Sequence, residues 1–265
     1  MNSFLDKAET KISNDFEKEG FLVKKTKNKN SLEKLRQIVI HSIKKKIKNL
    51  PNSDDKILND FHLYIKKNKL NDVRLSIIKE INNNVNFRKY YYDIAKEYLN
   101  ILVGNELAMQ TRVNLSIQNP RDKSSLLPIH SDVWSGDSAF EIVVWIPLVD
   151  CYKTKSMYIL KPNEFVKIKN KMFKNRNNSS EKIFDQLKKK VSWIDIKYGE
   201  VLLFNQSLPH GNRINEEGDT RWSLNCRFKS IFTPYRDKKL GEFFEPITLR
   251  KISELAINYE LPKIK

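Results

Sequence analysis

Apolar residues in the first hundred positions recur at helical spacing. Between residues 31 and 50, Leu32, Leu35, Val39, Ile43, Ile47 and Leu50 share one face, with lysines between them. That is the repeat of an amphipathic helix. Asn30 with Glu33 predicts a capping box at its start. The same spacing predicts helices over about 71–86, through Val73, Ile77, Ile78 and Ile81, and over about 90–103, through Ile94, Ala95, Tyr98 and Leu102. Near residue 110 the pattern changes to a period of two. Thr111 to Gln118 alternates strictly, with Arg112, Asn114, Ser116 and Gln118 on one face and Thr111, Val113, Leu115 and Ile117 on the other. Glu141 to Val149 is almost continuously apolar, as in a strand covered on both faces. Met157–Leu160 and Val201–Phe204 read as shorter strands, and Arg221 to Ile231 alternates again.

This succession predicts an α+β chain: a sandwich or barrel of short strands with helices packed on it. The expected division is an N-terminal helical region over 1–109, a strand core over 110–235 and a C-terminal helical tail over 236–265. Residues 163–190 interrupt the core with a Lys- and Asn-rich stretch. It reads as a solvated helical excursion whose apolar face is Ile183, Phe184 and Leu187, and as a surface feature in preference to a lid.

Composition narrows the class. A chain of 265 residues, 40% hydrophobic and 31% charged, can bury a substantial core. Its formal net charge of +17 favours anionic partners. The lysines are spread along the chain, however, so a general compositional bias accounts for the charge equally well. Cys151 and Cys226 form no CxxC pair, which gives no sign of a disulfide framework or a zinc site. The N-terminus lacks the apolar core of a signal peptide and no apolar run is long enough to span a membrane, so the expectation is a cytoplasmic protein with no membrane partner. Nothing in the pattern decides whether it forms a homo-oligomer.

The candidate chemistry lies in three places. In His130-Ser131-Asp132 an imidazole and a carboxylate sit two residues apart, on one side of a strand. His210, in Pro209-His210-Gly211, follows the strand Val201–Phe204 and supplies a third ligand. Two histidines and one carboxylate form the facial set that holds Fe(II) and leaves three coordination positions open. A bidentate 2-oxoacid fills two of these and O2 the third. The far carboxylate of such a dicarboxylate needs a cation, and Arg221 lies eleven residues beyond His210, after a polar turn. Ser223 shares its face, as do Asn225 and Arg227, whereas Trp222, Leu224, Cys226 and Phe228 form an apolar face suited to packing on the helices. Arg112, Asn114, Ser116 and Gln118 are candidates for the opposite pocket wall, Arg227 for an anionic substrate group and Trp134 for stacking on substrate. Cys226 reads as inert core, and His41 and His62 as packing or surface residues.

The order His130-x-Asp132, Gly199-Glu-Val-Leu-Leu-Phe204, His210-Gly211 and Arg221-x-Ser223 resembles the 2-oxoglutarate/Fe(II) dioxygenase superfamily, and in particular its phytanoyl-CoA dioxygenase-like branch. Phe16 to Val23 is similar to the opening strand of those enzymes. Thr220 to Lys229 with Pro234-Tyr235 resembles oxygenases of bacterial surface-carbohydrate gene clusters. The resemblance implies a double-stranded β-helix, a jelly-roll of cupin-like form. It also implies Fe(II) on His130, Asp132 and His210, with 2-oxoglutarate on Arg221, Ser223 and Asn114. The chain departs from that pattern at Tyr158 to Asn163, where many relatives carry Pro-Gly-Ser-His. Asp132 argues against a halogenase, in which a small residue replaces this carboxylate. An AlkB-type nucleic-acid demethylase is an alternative, because Arg221 and Arg227 are six apart as in those enzymes. The sequence lacks their Asn-x-Tyr pattern, having Asn114-Leu115-Ser116, and nucleic acid is disfavoured as a partner. A cupin-like binder without turnover is the other alternative, disfavoured by the presence of Arg221. The expected substrate is a small anionic metabolite such as a sugar or sugar nucleotide.

Overall fold

The structure, a computed structural model, describes residues 4–174 and 179–263. Among these, ten strands make two sheets. They are β1 (Phe21–Lys25), β2 (Leu107–Gln110), β3 (Asn114–Gln118), β4 (Ile142–Pro147), β5 (Met157–Leu160), β6 (Val191–Trp193), β7 (Glu200–Asn205), β8 (His210–Asn212), β9 (Arg221–Ser230) and β10 (Phe244–Thr248). The larger sheet runs β1-β7-β4-β9-β2-β10, with β3 also on β9, and the smaller runs β6-β5-β8. Every strand pairing is antiparallel.

The helical region folds as α1 (Lys7–Glu19), α2 (Lys29–Lys44), α3 (Asp54–Asn59), α4 (Phe61–Tyr64), α5 (Leu70–Asn83) and α6 (Phe87–Leu102). The three helices predicted from periodicity are α2, α5 and α6. The cap of α2 is Asn28, whose side chain accepts from Ser31 N at 3.0 Å, and not the expected Asn30, which lies inside the first turn. The helices cover the outer face of the large sheet, and the apolar face of β9 is the seam. Trp222 meets Phe61 edge-on with centroids 4.8 Å apart and donates its indole N–H to Leu58 O at 2.9 Å. Phe228 stacks on Tyr91, whose hydroxyl donates to Val144 O at 2.6 Å. Cys226 lies in this seam, and burial pushes its thiol up to about 12. It is inert at neutral pH.

Three expectations are corrected. The boundaries at 110 and 235 do not follow the sheet, because β1, β2 and β10 lie outside them. The tail expected to be helical over 236–265 contributes β10 before a short α9 (Lys251–Ile257). The alternation over 111–118 is not one strand either. The chain bends at Thr111–Val113, so β2 pairs with the far end of β9 and β3 with its start. Asn82 fixes that bend, donating to Val113 O at 3.0 Å and accepting from Val113 N at 2.8 Å.

The insertion forms α7 (Pro162–Lys174) and α8 (Ser180–Leu187). Residues 175–178 of the predicted excursion lie outside the described residues. Phe184 and Leu187 are buried with Ile168 against Tyr158 and Leu160 of the small sheet, and Ile183 packs beside them. Among the described residues no helix is long and apolar enough to cross a membrane.

Candidate active site

The site is built where β8 meets the segment before β4. His130 and His210 exchange both backbone hydrogen bonds, at 2.9 and 2.8 Å, so their side chains face each other with ring centroids 4.4 Å apart. Gly211 permits this approach, because a Cβ there would lie 2.8 Å from Leu127 O and from the Tyr158 hydroxyl. Asp132 does not continue a strand from His130, as its spacing predicts. It opens a 3-10 turn, Asp132–Ser135, that closes on Gly136 at φ 90°. Its backbone N–H donates to Gln206 O at 3.1 Å, and this bond brings its carboxylate in beside the two imidazoles.

The hydrogen bonds fix the tautomers. His130 gives its Nδ1–H to Pro128 O at 2.8 Å, and His210 gives its own to Leu208 O at 2.9 Å. A carbonyl oxygen only accepts, so in the neutral ring each Nε2 presents a lone pair. Both Nε2 atoms face Asp132 Oδ1, at 3.3 and 3.8 Å. The candidate ligand atoms all lie within 4.8 Å of one another. Burial, with the adjacent His130, lowers the His210 pKa to about 4, so His210 is neutral at pH 7. Burial alone would raise the Asp132 carboxyl, but its charged neighbours, Arg227 among them, outweigh it and hold Asp132 well below the usual carboxylate range. Three acceptors therefore converge on one point with no donor among them. A cation satisfies that arrangement, and two imidazoles with one carboxylate oxygen suit Fe(II).

The other oxygen of Asp132 is engaged. Arg227 Nη2 donates to Oδ2 at 2.7 Å, while its Nε lies 3.0 Å from both Gln206 Oε1 and Asp137 Oδ1. Asp137, fully buried, also takes Lys238 at 2.5 Å. Arg227 was expected at an anionic substrate group. It lines the cavity, but its guanidinium is turned to Asp132 and leaves Oδ1 as the single free ligand atom. Arg227→Gln should therefore weaken metal binding by about 10–100-fold, the usual cost of losing a partner that orients a ligand. A competition titration against a chelating dye reads this. Unchanged affinity would show that Asp132 is oriented without Arg227.

Arg221 enters the same cavity from β9, only 3% exposed. It donates from Nη2 to Ser116 Oγ at 2.9 Å and from Nη1 to Ser156 O at 3.2 Å, and its Nε has no partner. Among the described residues no carboxylate lies within ion-pair distance of it. Burial lowers its pKa to about 10, so it stays cationic at neutral pH. The buried Ser223 hydroxyl also has no partner. A buried cation and donor left without an anion are costly unless a ligand supplies one. Asn114 lies on the cavity wall and donates to Asn225 Oδ1 at 3.0 Å. The cavity measures about 420 Å³.

Three other expected contacts fall elsewhere. Arg112 is exposed at the bend between β2 and β3, where the alternation that aimed it inward is broken. Gln118 is fully buried but donates to Arg213 O at 2.6 Å, behind the cavity wall. Trp134 is 46% exposed, because the 3-10 turn carries it away from the triad. Sequence reasoning missed Gln206, Asp137 and Arg74. No local pattern marks the first two, whose role depends on contacts to Arg227 from distant segments. Arg74 reads as an ordinary polar position on the α5 helix.

The architecture is the double-stranded β-helix, with a cupin-like jelly-roll core and helices on one face. Solved structures similar to it include AviO1 from Streptomyces viridochromogenes Tue57, with 14% identity over 89% of this chain and 100% of that one at a TM-score of 0.53. HygX from Streptomyces hygroscopicus, solved with nickel and 2-oxoglutarate bound, shares 14% identity over 89% of this chain and 90% of its own, at 0.51. The non-heme alpha ketoglutarate dependent epimerase SnoN from nogalamycin biosynthesis shares 11% over 86% and 85%, at 0.51. At these identities the shared property is the fold. No family model matches the sequence, and no curated protein matches it.

Proposed function

We propose that the protein is an Fe(II)- and 2-oxoglutarate-dependent oxygenase that hydroxylates a small anionic metabolite, such as a sugar or sugar nucleotide. The observation that carries this reading is the meeting, in one cavity, of three lone-pair donors without a proton and a buried arginine without a carboxylate. His130, Asp132 and His210 would hold the metal. Arg221 and Ser223 would receive the far carboxylate of 2-oxoglutarate, because the guanidinium fork matches a carboxylate and the Ser223 hydroxyl lies on the same strand face. HygX, on the same fold, is a protein solved with nickel and 2-oxoglutarate bound. When bound, Fe(II) with 2-oxoglutarate and O2 supplies oxidation of an unactivated C–H bond, with succinate and CO2 as the other products. The residues of this chain do the rest. The backbone carbonyls of Pro128 and Leu208 hold the imidazoles in the ligating tautomer, and Arg227 holds the carboxylate.

Arg227 also bears on the nucleic-acid alternative. The spacing of Arg221 and Arg227 motivates that alternative, but Arg227 is occupied by Asp132, Asp137 and Gln206 and offers no free cation to a polyanion. The test is a mass-spectrometric screen of sugar nucleotides and acidic metabolites with Fe(II), 2-oxoglutarate, O2 and ascorbate. The expected result is a product heavier by one oxygen atom with an equivalent of succinate. Turnover stimulated only by methylated oligonucleotides would replace this reading with a demethylase. No succinate at all under air would leave a binding protein.

A further inference from the structure

We propose that Arg74 is a substrate-binding residue: it anchors an oxyanion of the substrate, a phosphate or a carboxylate, at the mouth of the cavity. This rests on the oxygenase reading above, because that reading assigns the other arginines.

Three arginines line the cavity, Arg74, Arg221 and Arg227, against a single acidic residue, Asp132. Arg227 is paired with that carboxylate. Arg221 is the buried cation that receives the cosubstrate. Arg74 is then a positive charge on the cavity wall that neither the protein nor the cosubstrate neutralises. Its Nη2 donates to Asn71 Oδ1 at 2.6 Å, one turn away on the same helix. Among the described residues no carboxylate lies within ion-pair distance of it, and Asp72 turns instead towards Lys69 at 3.8 Å.

A solvated surface arginine would look similar in charge alone, so its placement matters. Arg74 belongs to α5, which is not free to drift. Ile77 and Ile81 are fully buried beneath it, and the paired bonds of Asn82 to Val113 tie its C-terminal end to the start of β3. β3 is the strand that presents Asn114 and Ser116 to the cavity. The helix thus sets the backbone of Arg74 beside the cavity that holds the metal ligands. Arg74 and the triad share that cavity with the amides of Asn114 and Asn225, short polar groups that suit hydroxyls. A small polyol with its oxyanion on Arg74 and a C–H bond at the metal ligands fits that set of groups. An oxyanion accepts two parallel bonds from the arginine fork, which makes Arg74 a determinant of binding orientation.

The test uses the protein loaded with Mn(II) and saturated with 2-oxoglutarate, so that Arg221 is already occupied and no turnover takes place. Methyl phosphate and acetate are titrated separately, and the paramagnetic relaxation of their 31P and 13C signals reports binding near the metal. We expect saturable relaxation for at least one probe, weakened at least fivefold in Arg74→Gln and partly kept in Arg74→Lys. The probe that responds tells phosphate from carboxylate. 2-Oxoglutarate affinity should be equal in all three proteins. If both probes fail to saturate, or bind Arg74→Gln as they bind the parent, while 2-oxoglutarate still binds, the Arg74 site is overturned and the oxygenase reading stands. If 2-oxoglutarate itself does not bind, both fall.

Discussion

Replacing His210 with alanine should leave the protein folded and lower its affinity for Fe(II) by more than about 100-fold, beyond the loss typical of an outer partner. The fold should survive because the backbone pair between residues 130 and 210 does not use the side chain, and because His210 contributes no ion pair that a neutral group would leave unsatisfied. The metal should not survive, because the remaining His130 and Asp132 offer two ligand atoms where a facial set needs three. The sign of the pH dependence follows from the same residue. Its pKa is lowered to about 4 in the folded chain, against an ordinary value of 6.5, so between those values the unfolded chain binds a proton that the folded chain does not. Stability of the metal-free protein should therefore be fully present above pH 6.5 and fall as the pH drops towards 4. In His210→Ala that part of the acid sensitivity should vanish. Thermal melts of metal-free parent and variant between pH 4 and 8, with Fe(II) titrations at pH 7, check both halves. Retained metal affinity in the variant would remove His210 from the ligand set.

What could be read in advance, and what could not, divides by the range of the forces involved. The α5 and α6 helices and the strand β9 follow from local periodicity, and the apolar face Trp222, Leu224, Cys226 and Phe228 lands on the helices as its alternation requires. The triad could be read from residue types and order alone, although the strand geometry expected for Asp132 is a 3-10 turn in the structure. The break in the 111–118 strand could not, because its cause is the Asn82 amide thirty-one residues away, and no local pattern carries that bond. Arg112 was misplaced for this reason. β10 carries Pro246, which cannot donate to a sheet ladder. It is tolerated because β10 is the last strand of its sheet, paired with β2. Arg227 shows the limit most clearly. Alternation aims its side chain correctly into the cavity, but its partner Asp132 is ninety-five residues earlier, and only the fold shows that the guanidinium serves the metal site and not the substrate.

Arg221→Lys is the second large effect. Arg221 enters a buried position with two polar contacts, to Ser116 Oγ and Ser156 O, and a third nitrogen without a partner. A lysine there keeps a charge but replaces a planar fork with a single ammonium, so it cannot hold both oxygens of the cosubstrate's far carboxylate. One lost charge-assisted hydrogen bond costs roughly 1.5–3 kcal/mol, and 2-oxoglutarate should bind about ten- to a hundredfold more weakly. Arg221→Met, which removes the charge, should lose more. Metal affinity without 2-oxoglutarate should change in neither variant, because Arg221 makes no contact with His130, Asp132 or His210 among its hydrogen bonds. That separation is the useful feature of the experiment. The absorption band that 2-oxoglutarate produces on bound Fe(II) should still form in Arg221→Lys, but only at higher ligand concentration. If lysine and arginine gave the same titration curve, the far carboxylate would have to lie elsewhere, and the buried cation at residue 221 would need another partner.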